Sequence, residues 1–430
     1  MPASPQSLAY LTADIPGTGG IIKERPEDFL VEEQPLYQPE GHGEHLYLYI
    51  EKRERATTDV VHRLAKLFNV RRGDIGYAGL KDKHAVTRQH LSIYKPDPTG
   101  DDKALANIEH TGMKLLWSAR HVNKLRRGHH AGNRFVIRIR QVDPTAVLHA
   151  KHVLDRLEQH GVPNFIGEQR FGYRQNNHVL GRLLLAQEWQ AFIEELVGNP
   201  RSSDAPPMQA ARAAVMNGDL TAALATWPRY LHDERRVLDL LRQKRTPQQA
   251  VMALDSRQRE FLINAWQAAI FNEVLGRRLG DGLLDKLVAG DLAWKHDSRA
   301  VFNVDETTAT AENAADGRVA RREVSPSGPM WGPSMTTAGG QVAQWEAAAL
   351  AAHGGEQISL DQVGQAVAGS RRPMREMLRD PDISGGVDEH GAYIRVAFEL
   401  PRGSYATIVL REIIKPGLTG TALAEEGEES

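Results

Sequence analysis

The chain has 430 residues, 41% of them hydrophobic and 25% charged, with a formal net charge of −2. That composition is ordinary for a folded protein and excludes a wholly disordered or fibrous chain, while the length predicts two or three domains. There is no cysteine, which excludes disulfides, thiolate metal sites and cysteine nucleophiles and fits a reducing compartment.

No apolar run approaches the length of a membrane span, so no membrane association is expected. Residues 1–20 lack a basic region followed by an apolar core, so they do not read as a secretory signal. A cytoplasmic location is the expectation.

Along the chain, Ile21-Ile22, Phe29 to Val31 and Leu46 to Ile50 read as short strands separated by proline and glycine. A helix follows, capped by Thr57 or Thr58, with Val60, Val61, Leu64, Leu67 and Phe68 at helical spacing. Ile75 to Ala78 reads as a strand, Gly79 to Lys83 as a loop, and Leu91 to Tyr94 as the next strand. Phe135 to Arg140 alternates as a strand with one buried face. Asp143-Pro144 opens a second helix, striped by Val147, Ala150, Val153, Leu154 and Leu157 and ended by Gly161. Helical segments then dominate: Val179 to Leu196, Ala210 to Trp227 with a break near Asn217-Gly218, Arg235 to Leu241, and Arg257 to Leu279. Residues Asp291 to Gly340 are rich in Gly, Pro, Ser and Thr. Strand-like alternation returns near Val387, with Tyr393, Ile394, Val396, Phe398 and Leu400, and a final helix spans Tyr405 to Ile414. The acidic tail Gly417 to Ser430 reads as disordered. Strand-rich sequence thus flanks a helical middle, which predicts an α+β domain carrying an inserted helical domain.

The charge is unevenly spread. Val61 to Arg140 holds 17 Lys/Arg against 6 Asp/Glu, a local net of +11, and Thr111 to Arg140 has 8 basic residues and no acidic one. Such a block is either a polyanion site or a solvated surface. No phosphate-binding loop, dinucleotide fingerprint or nucleophile elbow is present. His42, Glu44 and His45 match no standard metal spacing. Asp380-Pro381-Asp382 fails as a calcium loop, because Gly391 stands where the closing Glu belongs. The informative stretch is Gly76 to Gln89. There a tight glycine turn leads into Lys81-Asp82-Lys83, with Arg88 nearby. A carboxylate on the floor of a basic groove suits a nucleophile acting on a nucleic-acid sugar. A surface loop with local ion pairs is the alternative.

This stretch resembles the signature loop of the TruD family of tRNA pseudouridine synthases, with Asp82 in the place of the catalytic aspartate. Five further segments are similar to the family's motifs, in the same order. They are Lys23 to Phe29; Lys124 to Gly128 with Gly132 to Phe135; Gly161 to Gly172; Ser325 to Gly332; and Leu400 to Thr407 with Arg411-Glu412. The resemblance spans about residues 18 to 416. It implies isomerisation of uridine to pseudouridine, characteristically at tRNA position 13, without cofactor or metal and with no obligatory protein partner. It implies a mixed, mostly antiparallel sheet with helices in a catalytic domain of residues 1–160 and 379–430, and an inserted mainly helical α/β domain at 161–378. The basic stretch and the insertion are expected to wall a cleft for tRNA.

Residue by residue, the resemblance makes Asp82 the nucleophile and Arg411 its cationic partner. Phe135 becomes the active-site aromatic. Phe29, Asn133 and Tyr405 become substrate contacts, and Lys23 lines the same site. Tyr405 departs from the Phe of the family pattern. Lys81, Lys83, Lys124, Arg126 and Arg127 are expected to contact RNA. The target base must leave its stack to be reached, and aromatic rings can replace the lost stacking at roughly 1–3 kcal/mol per base. Attack on C1′ and abstraction of a sugar proton remain equally open. An RNA-binding protein with a decayed site and a nuclease are the rival readings. The intact Asp82 and Arg411 speak against the first. The lack of clustered carboxylates for two-metal chemistry speaks against the second.

Overall fold

A computed structural model describes residues 8–359 and 368–415; the tail from Gly417 lies outside them. The protein is α+β, and it divides into two compact units, Tyr10–Asn164 with the residues from Arg375 onward, and Phe165–Met374 with the N-terminal residues up to Ala9. The division falls slightly inside the expected 161–378.

The first unit is built on an eight-stranded sheet. Its strands are β1 (Phe29–Pro35), β2 (His45–Arg53), β3 (Ile75–Tyr77), β4 (Val86–Tyr94), β5 (Met113–His121), β6 (His130–Arg140), β7 (Arg379–Asp388) and β8 (Gly391–Pro401). The order is β7-β8-β6-β1-β4-β2-β5, with β3 also on β4. Every pairing is antiparallel except β1 with β4. One edge of β4 is shared: β1 pairs with Val86, Thr87 and Arg88, and β3 with Leu91, Ser92 and Ile93. The loop between β3 and β4, which carries Asp82, therefore starts and ends on the same strand edge.

The helix Thr57–Leu67 buries Val60, Val61 and Leu64 against Leu46, Leu48, Ile50, Ile75, Leu91 and Ile93. Its N-cap is Ala56, not a threonine. The expected cap, Thr57, is spent elsewhere: its hydroxyl accepts from the Lys81 backbone N–H and donates to Gln89. The helix Val147–His160 follows a turn begun by Pro144, where the Asp143 side chain accepts from the Thr145 N–H. Gly161 ends it at φ +87°, a conformation open to glycine.

The start of β1 is anchored electrostatically. Arg140 grips Asp28 through two nitrogens at 2.7 and 3.0 Å, and Asp388 at 2.6 and 2.9 Å. Asp28 is fully buried. Removing Arg140 would strand that charge, at a cost of about 3–5 kcal/mol. Asp388 is held down to about 2, chiefly by its hydrogen bonds to Arg140.

Several expectations are corrected. Ile21-Ile22 is not a strand; Ile21 makes one isolated bridge, to Arg140. Strand β5 lies in the basic block and is absent from the sequence reading, although Leu115, Leu116 and Trp117 give it an apolar run. Strand β7 runs through Asp380, Gly385 and Gly386, residues poor in strand propensity, because β8 supplies a paired edge.

In the second unit, Val179 to Leu196 is two helices, Asn177–Leu185 and Trp189–Val197. Gln187 takes φ +57° at the break. Pro206–Met216 and Leu220–Thr226 part at Asn217-Gly218, where Gly218 has φ +77°. The 25-residue helix Ser256–Gly280 is the longest among the described residues. Leu180, Phe192, Trp227, Val237 and Leu262 share its helical core. The Gly- and Pro-rich stretch contains strands Leu292–Lys295, Val301–Asn303 and Val324–Met330, joined by Ser370–Pro373 in a four-stranded sheet. Among the described residues, no helix is long and apolar enough to cross a membrane.

Candidate active site

Asp82 sits on the loop between β3 and β4, with 7% of its side chain exposed. Both carboxylate oxygens are engaged. Oδ2 pairs with Lys23 Nζ, and Oδ1 accepts the His84 backbone N–H at 2.9 Å. Lys23 takes φ +58°, a left-handed conformation that costs a non-glycine residue about 1–2 kcal/mol. Its ammonium also lies 4.6 Å from the centroid of the Phe29 ring. The carboxylate is thus charge-balanced and aimed by directional bonds.

The loop itself is clamped from beneath by Lys52, a residue that is 1% exposed. Its Nζ donates to the carbonyls of Arg55, Lys81 and Asp82, the last at 2.9 Å. Burial lowers the Lys52 pKa to about 8, against the opposing pull of Asp82. Its three donors all serve main-chain oxygens, so Lys52 fixes where the Asp82 backbone lies.

Lys81 is not turned toward solvent. Its Nζ donates to Asn133 Oδ1 at 2.8 Å and lies 3.2 Å from Glu33 Oε2. The other Glu33 oxygen takes the His90 backbone N–H and ring Nδ1, both at 3.1 Å. Burial pushes the Glu33 carboxyl up, but Lys81 and His90 outweigh it and hold it at about 2. Its stabilising contribution is therefore complete above the ordinary glutamate range and fades as pH falls toward 2. Lys83 is exposed. Arg88 serves Glu51 at 2.7 Å and Glu32, not Asp82.

The aromatics cluster on the same sheet. Phe29 and Phe135 meet edge to face at 6.4 Å, and Phe135 lies 5.6 Å from Phe398. Both Phe29 and Phe135 are buried. Asn133 is the register partner of Glu33 on β1 and of Leu400 on β8. Tyr405, half-buried, is the N-cap residue of the helix Ala406–Ile414.

The basic segment is pinned beside the Asp82 loop. Gly76 lets the Leu125 carbonyl approach so closely that a Cβ would lie 2.1 Å from its oxygen. The Leu125 N–H donates to Ser92 Oγ at 2.9 Å, and the Gly128 N–H to the Ala78 carbonyl at 2.7 Å. Arg402, from the C-terminal motif, donates to the Gly128 carbonyl. Lys124 is half-buried and bonds the Gly73 carbonyl. Arg126 and Arg127 are exposed, and Arg127 donates to the Tyr77 hydroxyl at 3.2 Å. Lys124 and Arg126 also line a cavity of about 490 Å³ with Tyr37, Glu40, His121 and His129.

One expectation fails on geometry. Arg411 does not pair with Asp82. Its guanidinium lies 3.6 Å from the centroid of the Tyr10 ring and 3.9 Å from Glu412 Oε1. The cation on Asp82 is Lys23. Three contributors, Lys52, Glu33 and Thr57, escape the sequence reading. For two of them a signal exists. Lys52 continues the buried row Leu48, Ile50 on β2, and Glu33 continues Phe29, Val31 on β1. A charge at the buried period-2 position of a strand must have a partner.

The arrangement has relatives. The family model for tRNA pseudouridine synthase D (TruD) matches residues 7–413. The chain is similar to the tRNA pseudouridine synthase D of Geobacter sulfurreducens, at 41% identity over 95% of this chain and 97% of that one. It is similar to the same enzyme of Geobacter metallireducens, at 42% identity over 95% and 98%. Among solved structures, one from Methanosarcina mazei assigned as tRNA pseudouridine synthase D superposes with a TM-score of 0.81. It shows 27% identity and covers 95% of this chain and 96% of that one. A chain matched over nearly its whole length by family model, relatives and fold belongs to the TruD family of tRNA pseudouridine synthases.

Proposed function

We propose that this chain isomerises uridine to pseudouridine in tRNA, at position 13, with Asp82 as the group that acts on the ribose. The carrying observation is the Asp82 carboxylate, 7% exposed, paired with Lys23 and held on a loop clamped by Lys52. The target uridine flips out of its stack. As the C1′–N1 bond breaks, its electron pair leaves with the uracil. Asp82 either bonds C1′ or removes the C2′ proton. The uracil then turns and C5 joins C1′, as the Asp82–C1′ bond breaks with its electron pair returning to the carboxylate, or as C2′ takes back its proton; the C5 proton is lost and N1 ends protonated. A site closed to water retains the detached base. Tyr405, half-buried, stacks on that base, while Phe29 and Phe135 form the packed wall behind it. Arg126 and Arg127 grip the backbone phosphates.

The test is direct. Purified chain is incubated with a tRNA transcript carrying tritium at uridine C5. Stoichiometric tritium release from one position supports the reading. Binding without release, or strand cleavage, overturns it.

A further inference from the structure

We propose that Glu33 is a positioning residue for this reaction, and that through Lys81 it holds the Asn133 amide with its N–H2 group turned to the target uridine. The inference rests on the pseudouridine synthase reading above. A lysine ammonium has three donors and no acceptor. Lys81 can therefore meet only the oxygen of the Asn133 amide, which it does at 2.8 Å. The flipped amide would set N–H2 against an ammonium. Asn133 Oδ1 is occupied, and the amide offers a substrate donors alone.

Glu33 keeps this arrangement in place. Glu33 and Asn133 face each other across β1 and β6. Lys81 fills the space between their side chains, with the Lys81 and Glu33 side chains 4% and 1% exposed. Two bonds from His90 fix the carboxylate in turn. Without Glu33 the buried ammonium would be uncompensated, and it would move or draw in water.

The chemistry needs a donor at this place. When C1′–N1 breaks, the departing uracil carries negative charge over N1, O2 and O4. An N–H aimed at one of those carbonyl oxygens stabilises that charge as it develops. An amide oxygen there would repel it.

Three variants test the inference, each measured for tRNA affinity, single-turnover rate and thermal midpoint. Glu33→Gln is expected to bind tRNA like the wild type, react about 10- to 100-fold more slowly and melt earlier. Adding Lys81→Met removes the stranded charge, so the midpoint recovers while the rate stays low. Asn133→Asp satisfies Lys81 but has no N–H, and is expected to lose about 100-fold in rate with no loss of thermal midpoint. A rate that recovers together with the midpoint in the double variant would show a structural role only. So would a fully active Asn133→Asp. A wild-type chain that forms no pseudouridine in the same assay would instead remove the reading on which the inference rests.

Discussion

The Asp82 loop and the Lys124–Gly128 segment look alike as sequence, since each is a short run of lysine or arginine beside a glycine. The fold treats them oppositely. Around Asp82 three cations are turned inward, Lys23 to the carboxylate, Lys52 to three carbonyls and Lys81 to Glu33 and Asn133, and Lys83 alone of the loop's lysines is exposed. In the other segment Arg126 and Arg127 remain exposed. Buried charges on neutralising partners supply geometry, while exposed ones supply long-range attraction that salt can screen. One cluster aims a carboxylate, and the other, on our proposal, holds a polyanion.

That contrast breaks first at Asp82. Asp82→Asn keeps the shape of the side chain and removes the carboxylate charge that the proposed reaction uses. Its single-turnover rate is expected to fall about 10³-fold or more, with tRNA affinity near that of the wild type. A variant that still turns over within about tenfold of the wild-type rate would remove Asp82 from the chemistry.

Lys52 is the next test of the aiming cluster. Lys52→Met keeps the apolar stem and removes the clamp on the Lys81 and Asp82 carbonyls. A rate about 10- to 100-fold lower with unchanged tRNA affinity is expected, as for other supporting groups. The stability carries a sign as well. The folded pKa of about 8 lies below the ordinary 10.5. The unfolded chain therefore binds this proton more tightly, and stability rises with pH between 8 and 10.5. Urea melts of the wild type against Lys52→Met across that range should show the rise only where Lys52 is present. Parallel curves would show that the ammonium is not held under strain.

How far the sequence foretells this division can be read from single residues. The motifs around Asp82, Asn133 and Tyr405 are legible because chemistry restricts the residue types. The strands β1 and β2 are legible as β-forming residues between prolines and glycines, and β6 by its alternating buried face. What escapes is long-range pairing. Nothing in the run Lys81-Asp82-Lys83 tells that one lysine faces Asn133 from a strand some fifty residues later. Nothing near Arg411 tells that its guanidinium lies over Tyr10, four hundred residues earlier. Strand β7 is illegible for another reason: its Gly, Asp and Pro residues take strand geometry from the β8 edge.

The gripping cluster is tested by salt. Arg126→Ala with Arg127→Ala should weaken tRNA binding about tenfold and flatten the log-salt slope by up to about 0.9 for each phosphate no longer neutralised. The rate at saturating tRNA should stay within about twofold of the wild type. Lys124→Ala should change the slope less, because its ammonium is spent on the Gly73 carbonyl. An unchanged slope in the double variant would mean that this face does not meet RNA.

The smallest effect is expected at Arg411, and it sharpens the comparison from outside both clusters. Were Arg411 the partner of Asp82, exchange for lysine would cost much of the rate, since lysine cannot reproduce a two-pronged grip. The guanidinium instead lies over the Tyr10 ring, 3.6 Å from its centroid, with Glu412 at 3.9 Å. Glu412 binds the backbone N–H groups of Leu11 and Thr12, each at 3.0 Å. Arg411 thus belongs to the seam between the N-terminal segment and the last helix. Lysine keeps the charge there and loses the guanidinium's contact with the ring, which is worth from about 0.5 kcal/mol at exposed sites to about 2 kcal/mol when desolvated; the Arg411 side chain is 13% exposed. Arg411→Lys is therefore expected to lower the thermal midpoint slightly and to leave the single-turnover rate within about twofold of the wild type. Lys23→Met, by contrast, should slow the reaction while Arg411 is untouched. If Arg411→Lys is the slower of the two, the cation that serves Asp82 during the reaction is Arg411 and not Lys23.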